Sequence, residues 1–347
     1  MPDLFDGFGL PALVVIFGVS AGAVAGAGIA LARNGDAIAQ RTGLGGLVVG
    51  MFLLAGATSL PEIATDVSAA LADAPDLAVG DLFGSSMANM AILALVDLVY
   101  RGRVWTTVGL GQARLAAVAI ALTSVALLAL LLPNPIAIGW IGVETIVIVV
   151  GYLAATAWIH RTRRTGRHEQ DLSGEVIAPT GWGDAASPGA PLRAVAIRFA
   201  MAASVVLVAA PFVALSAEGI AHETGIGQTF VGTFLLAATT SLPELVASLT
   251  AIRIGAHDLA VGNLFGSNAF NMVALLAADL AYFPGPILAA VAPAQAIAGV
   301  GAILLMALAL AAVIHGTETR IRRLEPDAVA VLLVYVLLLV AIWASTA

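Results

Sequence analysis

The feature that most restricts the fold of this chain is a long internal repeat. Residues 36–100 match residues 218–282 at 33 of 65 positions without a gap, at a constant offset of 182 residues. The most similar part reads Gly-Ala-Thr-Ser-Leu-Pro-Glu at 56–62 and Ala-Thr-Thr-Ser-Leu-Pro-Glu at 238–244. Shared apolar composition alone does not produce such a match. The chain therefore contains a duplication, and its two halves are expected to adopt the same fold.

The composition indicates an all-α integral membrane protein. Hydrophobic residues make up 60% of the chain and charged residues 11%, with a mean hydropathy of +1.01, whereas soluble domains average about 25% charged residues. The absence of cysteine excludes disulfides and Cys-based metal sites. The five histidines fall at predicted helix ends or in loops, which argues against a His-built metal site. The net charge of −7 gives no reason to expect nucleic-acid binding, and neither a prosthetic group nor an obligate protein partner is indicated.

A membrane-spanning helix needs about 20 apolar residues, and ten segments of this chain meet that requirement. The first apolar segment lacks the positive flank of a signal peptide, so it is expected to remain as a helix. The predicted spans cover about residues 10–31, 45–71, 77–100, 109–132, 137–160, 194–217, 227–252, 259–282, 289–313 and 328–345.

The arginines predict how the chain is oriented. With ten spans, all 15 basic residues, which are all arginines, fall on one side of the membrane. The opposite side carries acidic residues such as Asp73 and Glu218 and no arginine. Because basic residues concentrate in cytoplasmic loops, both termini are predicted to lie outside, in a multi-pass protein of the plasma (inner) membrane. Residues 161–193 are then a cytoplasmic linker.

The two repeats are predicted to have opposite orientations. Five spans separate equivalent points, and an odd number turns the second copy upside down. The exchange of Arg41 for Glu223 at equivalent positions agrees with this inversion. Inverted repeats with interrupted helices are typical of secondary transporters. The predicted parts are a first five-helix repeat at 1–160 with its core motif at 49–100, the linker at 161–193, and a second repeat at 194–347 with its core motif at 231–282.

Each copy of the motif places a proline and a glutamate within an apolar run. Pro61 and Pro243 cannot donate a backbone hydrogen bond inside a helix, and they free carbonyl groups one turn earlier. Free carbonyls at membrane depth are tolerated where they line a wet cavity or bind a cation. Glu62 and Glu244 follow directly, and buried carboxylates indicate a functional site. A packing kink is the alternative, but it leaves both carboxylates unexplained.

The second part of each repeat supplies further oxygen atoms. Ser85 and Asn89 are four residues apart and share one helix face, and Ser267 and Asn271 repeat the pair. Carboxylates, hydroxyls, carbonyls and amides are the oxygen ligands that Ca²⁺ prefers. Glycines at matching positions permit close helix approach, and small-residue packing alone also accounts for the Gly and Ser positions. These glycines are Gly80, Gly84, Gly262 and Gly266.

The paired T-S-L-P-E and G-[DN]-L-F-G-S-x-x-x-N motifs resemble the two α-repeats of the cation/Ca²⁺ exchanger superfamily, close to its prokaryotic sodium/calcium exchangers. The similarity covers essentially all ten spans in order. It implies a ten-helix antiporter whose second, third, seventh and eighth helices enclose the ions, while the first and sixth helices slide. Carried over by position, the implied metal ligands are Thr58, Ser59, Glu62, Ser85, Asn89, Thr240, Ser241, Glu244, Ser267 and Asn271.

The two copies differ at two polar positions. Asp66 stands where the second copy has Ser248, and Asp81 stands where the second copy, and typically the family, has Asn263. From the predicted topology both aspartates lie on the outer side of the central site. They are candidate outer-pathway carboxylates that attract cations or titrate with protons. A shared proton or a structural backbone cap is an equally weighted alternative.

The sequence favours a secondary antiporter that exchanges Na⁺ for Ca²⁺ by alternating access, with these ions and membrane lipid as its partners. The two glutamates are neutralised by one Ca²⁺ or two Na⁺, and the resemblance implies a third Na⁺ and electrogenic exchange. The extra aspartates keep H⁺-coupled transport of Ca²⁺ or another divalent cation open. A cation channel fits the repeated broken helices less well. An enzyme is disfavoured because no nucleophile–base set or metal cluster occurs in the sequence.

Overall fold

A computed structural model describes residues 8–100, 104, 110–132, 136–165, 190–224, 239–315 and 326–346, and these ranges are almost entirely helical. The helices are α1 Leu10–Thr42, α2 Gly46–Val49, α3 Ala55–Thr58, α4 Leu60–Leu71, α5 Pro75–Val99, α6 Leu110–Leu131, α7 Val143–Thr165, α8 Leu192–Thr224, α9 Leu242–Arg253, α10 His257–Ala281, α11 Ile287–Ala290, α12 Ala296–His315 and α13 Pro326–Thr346. A π-helical turn, Gly50–Leu54, joins α2 to α3, and a 3-10 turn, Pro293–Gln295, precedes α12. Strands β1 Ala137–Ile138 and β2 Ile141–Gly142 pair antiparallel before α7.

The predicted spans coincide with helices throughout the described ranges. Seven helices are long and apolar enough to cross a membrane, and the pair Gly46–Thr58 and Leu60–Leu71 forms an eighth span with a bend of 46°. Helix α7 contributes a shorter apolar stretch, Val143–Ile159. Of the predicted span 227–252, the structure describes residues 239 onwards, which lead into α9. The prediction of an all-α, multi-pass membrane fold is confirmed.

Two predicted boundaries are wrong for local reasons. Helix α1 continues past residue 31 to Thr42, where Gly43 takes the left-handed conformation (φ 68°) that ends many helices. The predicted span 137–160 opens with the β1–β2 hairpin, whose turn contains Gly139 at φ 67°. Neither feature changes the number of spans, because each extends or shortens a helix at its end.

The two flanking helices extend into the predicted linker 161–193 from both sides. Helix α7 extends to Thr165, and α8 begins at Leu192. Residues 166–189, which form most of this predicted linker, lie outside the described ranges.

The first helices of the two repeats run antiparallel, as inversion requires. Near the end of α1, the Arg41 side chain donates a hydrogen bond to the Ala190 carbonyl, just before α8 begins. Near the start of α1, the Leu13 side chain lies against Gly219, which is close to the end of α8. A Cβ atom added at Gly219 would lie 3.1 Å from the Leu13 side chain. The start of one helix therefore faces the end of the other, and the predicted opposite orientation of the repeats is confirmed.

Helix α10 lies at the centre of the molecule. In its apolar segment 83% of the residues are buried, compared with 11% in α13. It packs against α2, the π-helical turn, α3, α4 and α5 from the first repeat. Large apolar side chains on α1, α8 and α13 are exposed on the outside of the molecule, such as Val19, Met201 and Leu337, where a bilayer would cover them. The polar residues of both repeats are therefore gathered around α10.

Two glycines of α10 permit its close contact with the first repeat. A Cβ atom at Gly266 would lie 2.7 Å from the Cα atom of Met51, and one at Gly262 would lie 3.0 Å from the Leu47 carbonyl oxygen. Close helix approach is therefore confirmed at these two positions. The equivalent stretch of the second repeat, residues 229–237, lies outside the described residues.

Replacing Gly266 with alanine is expected to destabilise the protein by about 1–3 kcal/mol, as for other overpacked sites. The neighbouring atom belongs to the backbone of Met51, which cannot rotate away. The matched control is Gly22→Ala in α1, where no atom lies within 4 Å of the added Cβ atom. Thermal unfolding midpoints in detergent measure both effects. Equal midpoints for the two variants would contradict the close packing of α10.

Candidate ion-binding site

The two copies of the motif break their helices at the same residue and in the same way. Ser59, with φ −87° and ψ 5°, separates α3 from α4, and Ser241, with φ −80° and ψ 6°, precedes α9. Each new helix then begins with Leu-Pro, where proline is tolerated because the first turn has no N–H partner. The helix break that the sequence predicts is confirmed in both repeats.

Each break places a glutamate in the first turn of the following helix. Glu62 is 2% exposed and Glu244 is 0% exposed. The positive end of a helix dipole favours a carboxylate at this position. The two side chains lie close enough to repel each other electrostatically. Among the described residues, neither glutamate forms an ion pair with arginine or histidine, so no cationic side chain there compensates their buried charges.

Hydroxyl groups of the first repeat hold the glutamate of the second. The Ser59 hydroxyl donates a hydrogen bond of 3.3 Å to the Glu244 Oε1 atom. Thr58 and Ser267 face the same carboxylate. The Thr58 hydroxyl also lies 3.1 Å from the Leu54 carbonyl oxygen and 3.3 Å from the Asn263 Oδ1 atom. The site is therefore shared between the repeats, as the sequence predicts for a transporter of this plan.

A second cross-repeat contact orients an amide group. Asn89 Nδ2 donates to Asn268 Oδ1 at 2.9 Å, and Asn268 Nδ2 donates to the Ser86 carbonyl oxygen at 3.2 Å. The Asn89 Oδ1 atom is buried and accepts no hydrogen bond from the described residues. Sequence reasoning missed Asn268. The sequence did contain a sign of its role: Asn268 is a polar residue next to Ser267, and the equivalent residue of the first repeat, Ser86, is also polar.

Most of the predicted ligands carry buried oxygen atoms that accept no hydrogen bond from the part of the chain that the structure describes. Burying such atoms without a partner costs free energy, and Ca²⁺ takes 6–8 oxygen ligands. In the described part of the chain, no three His, Cys, Asp or Glu side chains form a metal cluster. A cation held by the two glutamates would therefore take its other ligands from neutral oxygens. The unpartnered oxygens belong to Glu62, Glu244, Ser85, Ser241, Ser267, Asn89 and Asn271.

Thr240 is buried next to Ser241, at the helix break of the second repeat, and it corresponds to Thr58 of the first repeat. The structure thus brings Thr58, Ser59, Glu244 and Ser267 together directly, and it places Glu62 beside Glu244. Ser85 lies one turn from Asn89 on α5, and Asn271 lies one turn from Ser267 on α10. That all these residues bind one ion remains a prediction.

The two outer-pathway candidates form a pair. Asp66 on α4 and Asp81 on α5 face each other within hydrogen-bonding reach and act electrostatically on Glu62. Their counterparts in the second repeat are hydrogen-bonded, because Asn263 Nδ2 donates to Ser248 Oγ at 3.0 Å. The pair lies between Glu62 and the connection from α4 to α5, on the side that the arginine pattern predicts to be external.

The matched aspartates at the ends of α5 and α10 have structural partners. Asp279 accepts hydrogen bonds from the Gly142 and Ile287 N–H groups and from the Thr145 hydroxyl. Asp97 accepts a hydrogen bond from the Val104 N–H group. Arg101, four residues after Asp97, lies outside the described ranges. Asp279 is therefore not counted among the candidate ligands, because protein donors already occupy its carboxylate oxygens.

Asn268 is expected to act as a positioning residue for Asn89. In Asn268→Ala the Asn89 amide loses its partner, and we expect Ca²⁺ affinity to fall about 10–100-fold, as for other residues that orient metal ligands. Calorimetric Ca²⁺ titration in detergent measures this effect. The matched control is Ser86→Ala, because Asn268 contacts the Ser86 backbone and the Ser86 hydroxyl donates within its own helix. Equal affinities in the two variants would contradict this role.

Two inverted repeats that enclose buried carboxylates at broken helices define a membrane transporter. Residues 12–160 and 194–344 match the model of the family described as sodium/calcium exchanger protein, and the chain belongs to this family. CaxA of Alkalimonas amylolytica is 28% identical over 316 residues, which cover 84% of this chain and 86% of CaxA. The inner membrane protein YrbG of Escherichia coli is 30% identical, over 71% of this chain and 72% of YrbG.

The fold is also that of a solved structure. The sodium-calcium exchanger NCX_Mj, from crystals soaked with Na⁺ and Sr²⁺, matches 96% of this chain and 99% of its own with a TM-score of 0.70 and 18% identity. The resemblance to the cation/Ca²⁺ exchanger superfamily is thereby confirmed, as is the fold of two inverted repeats. The chain is an exchanger and not an enzyme.

Proposed function

We propose that this protein is a secondary antiporter that exchanges Na⁺ for Ca²⁺ by alternating access, with Glu62 and Glu244 as the charged ligands. The observation that carries the proposal is the set of unpartnered buried oxygens around two adjacent carboxylates. Two negative charges and several neutral oxygens suit one Ca²⁺ or the Na⁺ ions that replace it. The relative CaxA is described as a putative antiporter, and the structural match is to a sodium-calcium exchanger, which supports antiport of these ions.

Competition for one set of oxygens would couple the two ions. An empty site holds two uncompensated carboxylates, and moving these through an apolar barrier is costly. The protein is therefore expected to switch readily between its outward-facing and inward-facing states when Ca²⁺ or Na⁺ neutralises the two carboxylates. Helices α1 and α8 pack along each other, and both contact parts of the broken helices. They are the proposed sliding pair.

Gradient-driven ⁴⁵Ca²⁺ uptake into proteoliposomes tests the proposal. An imposed outward Na⁺ gradient is expected to drive uptake, and a pH gradient without Na⁺ is expected to drive much less. Uptake driven only by the pH gradient would instead support the second candidate function, an H⁺-coupled antiporter of Ca²⁺ or another divalent cation. The Asp66 and Asp81 pair is the observation that favours this candidate. Flux that ignored both gradients would instead indicate a channel.

We also propose that both termini lie outside the cytoplasm, in the plasma membrane. The chain contains no cysteine, so single cysteines report their side of the membrane directly. Asp73 between α4 and α5 and Thr42 at the end of α1 are exposed positions on opposite predicted sides. In intact cells, a membrane-impermeant maleimide is expected to label Asp73→Cys and to spare Thr42→Cys. The reverse pattern would invert the assigned orientation.

A further inference from the structure

The Asp66 and Asp81 side chains form a buried contact between two acidic groups. Asp66 is 0% exposed and Asp81 is 7% exposed, and the carboxyl groups lie within hydrogen-bonding reach of each other. Within the described ranges, no donor forms a hydrogen bond with either carboxylate oxygen of Asp66 or with the Asp81 Oδ2 atom. Two carboxylates in contact repel each other unless a hydrogen or a cation lies between them.

The second repeat shows what this position holds when the residues are neutral. There, an amide hydrogen of Asn263 lies between the two side chains and bonds to Ser248 Oγ at 3.0 Å. The repeats share sequence and backbone at these helices, so the first repeat places Asp66 and Asp81 in the same relation. Neither aspartate brings such a hydrogen when ionised. A proton has the size to fit this place, whereas Ca²⁺ would need 6–8 oxygen ligands.

We propose that Asp66 and Asp81 form a proton-binding site, which holds one proton between the carboxyl groups and releases it when a cation binds at Glu62 and Glu244. The release breaks one carboxyl O–H bond, leaves two carboxylates and transfers the proton to water. The proposal deepens the proposed antiporter function and rests on it for the identity of the central cation site.

Charge couples the proton site to the cation site. Asp66, Asp81 and Glu244 on α9 all act electrostatically on Glu62, and repulsion between two like charges is mutual. Among the described side chains of the helices packed against α4 and α5, no arginine or histidine forms an ion pair with either aspartate. A cation at the glutamates cancels the charge that helps to hold the proton. Proton and cation therefore bind antagonistically, and each weakens the affinity of the other equally.

The coupling is expected on one side of the membrane only. Asp66 and Asp81 lie between the ion site and the connection from α4 to α5. The corresponding route on the opposite side passes the neutral Ser248 and Asn263 pair. Acidification on the side of the α4–α5 connection should therefore weaken cation binding from that side. With one proton released per cation bound, the half-saturating Ca²⁺ concentration rises by up to about tenfold for each unit of pH decrease.

The double variant Asp66→Ser, Asp81→Asn tests the proposal, because it copies the hydrogen-bonded pair that the second repeat already contains. In weakly buffered detergent solution, Ca²⁺ addition is expected to release about one proton fewer from the double variant than from the wild type, as linkage requires. In oriented proteoliposomes, the half-saturating Ca²⁺ concentration should depend on pH on one side in the wild type. The variant should lose this dependence and keep transport.

Two results would overturn the proposal: equal proton release by both proteins, or a pH dependence that is unchanged in the variant. Titration of Glu62 or Glu244 alone would leave both measurements the same, since the variant retains these residues. Proton release is measured without any Na⁺ gradient. A wild type that released the proton but failed to exchange Na⁺ would therefore refute the proposed function and leave the proton site supported. The thermal unfolding midpoint of the variant establishes that it folds.

Discussion

Glu244→Gln is expected to abolish Na⁺-driven Ca²⁺ uptake, and Glu62→Gln is expected to do the same. Both side chains are almost completely buried and face each other across the two repeats. Glutamine keeps the shape and a neutral oxygen, but it removes one of the two charges that the cation neutralises. Removing one partner of a buried ion pair costs about 3–5 kcal/mol, so we expect Ca²⁺ affinity to fall by more than about a hundredfold.

The matched control for these variants is Glu144→Gln, another glutamate in the first turn of a membrane helix. Glu144 is half-buried and lies beside Gly142, away from the broken helices. We expect its variant to transport Ca²⁺ at the wild-type rate. Uptake in proteoliposomes and calorimetric Ca²⁺ titration measure both transport and affinity. Normal transport by Glu62→Gln and Glu244→Gln would show that the central site has been placed wrongly.

The variants should also differ from most buried mutations in their effect on folding. In the protein without bound cations, Glu62 and Glu244 repel each other and bury uncompensated charge. Replacing one of them removes this repulsion, so the variant without cations is expected to unfold at a temperature no lower than that of the wild type. A Ca²⁺-dependent rise in the unfolding temperature should occur in the wild type and be lost in both variants.

The repeat explains why so much of the fold could be predicted from the sequence. Apolar length predicted where the spans lie, and the offset between copies predicted their inversion, while the count of ten that the arginine pattern favours stays a prediction. Pro61 and Pro243 also marked the two helix breaks, because proline removes a backbone donor whatever surrounds it. The structure adds the π-helical turn at 50–54 and the β1–β2 hairpin. The π-helical turn packs against α10, and β2 contacts both α10 and α11, so apolar length alone did not reveal either feature.

The candidate site was predictable where the chemistry is local. Buried carboxylates stand out in an apolar run, so Glu62 and Glu244 needed no structure. Asn268 did not stand out, because its role depends on a contact with Asn89, 179 residues away. The sequence also could not choose among roles for buried acids. Asp66 and Asp279 are both buried, yet no described residue donates a hydrogen bond to Asp66, whereas three groups donate to Asp279.

Asp279→Ala is expected to cause the largest loss of stability, of about 3 kcal/mol or more. The carboxylate accepts hydrogen bonds of 2.8 Å from the Gly142 N–H, 2.7 Å from the Thr145 hydroxyl and 2.8 Å from the Ile287 N–H. It thereby joins the hairpin before α7 and the start of α11 to the end of α10. Each donor left unsatisfied at a buried site costs about 1–3 kcal/mol. Unfolding in detergent, by heat or denaturant, measures the loss.

The control for this prediction is Asp327→Ala at the start of α13. Its carboxylate is partly exposed and lies 3.7 Å from His315 Nδ1, and exposed ion pairs contribute at most about 1 kcal/mol. Fully folded Asp279→Ala protein should still bind Ca²⁺ with wild-type affinity, because its three donors hold loops and bind no cation. If Asp279→Ala unfolded at the normal temperature but bound Ca²⁺ more weakly, Asp279 would have a role in ion binding and not a structural role. The hydrogen-bond donors thus distinguish the acids: three protein donors hold Asp279, whereas Glu62 and Glu244 each keep one oxygen without a donor among the described residues, as the proposed cation site requires.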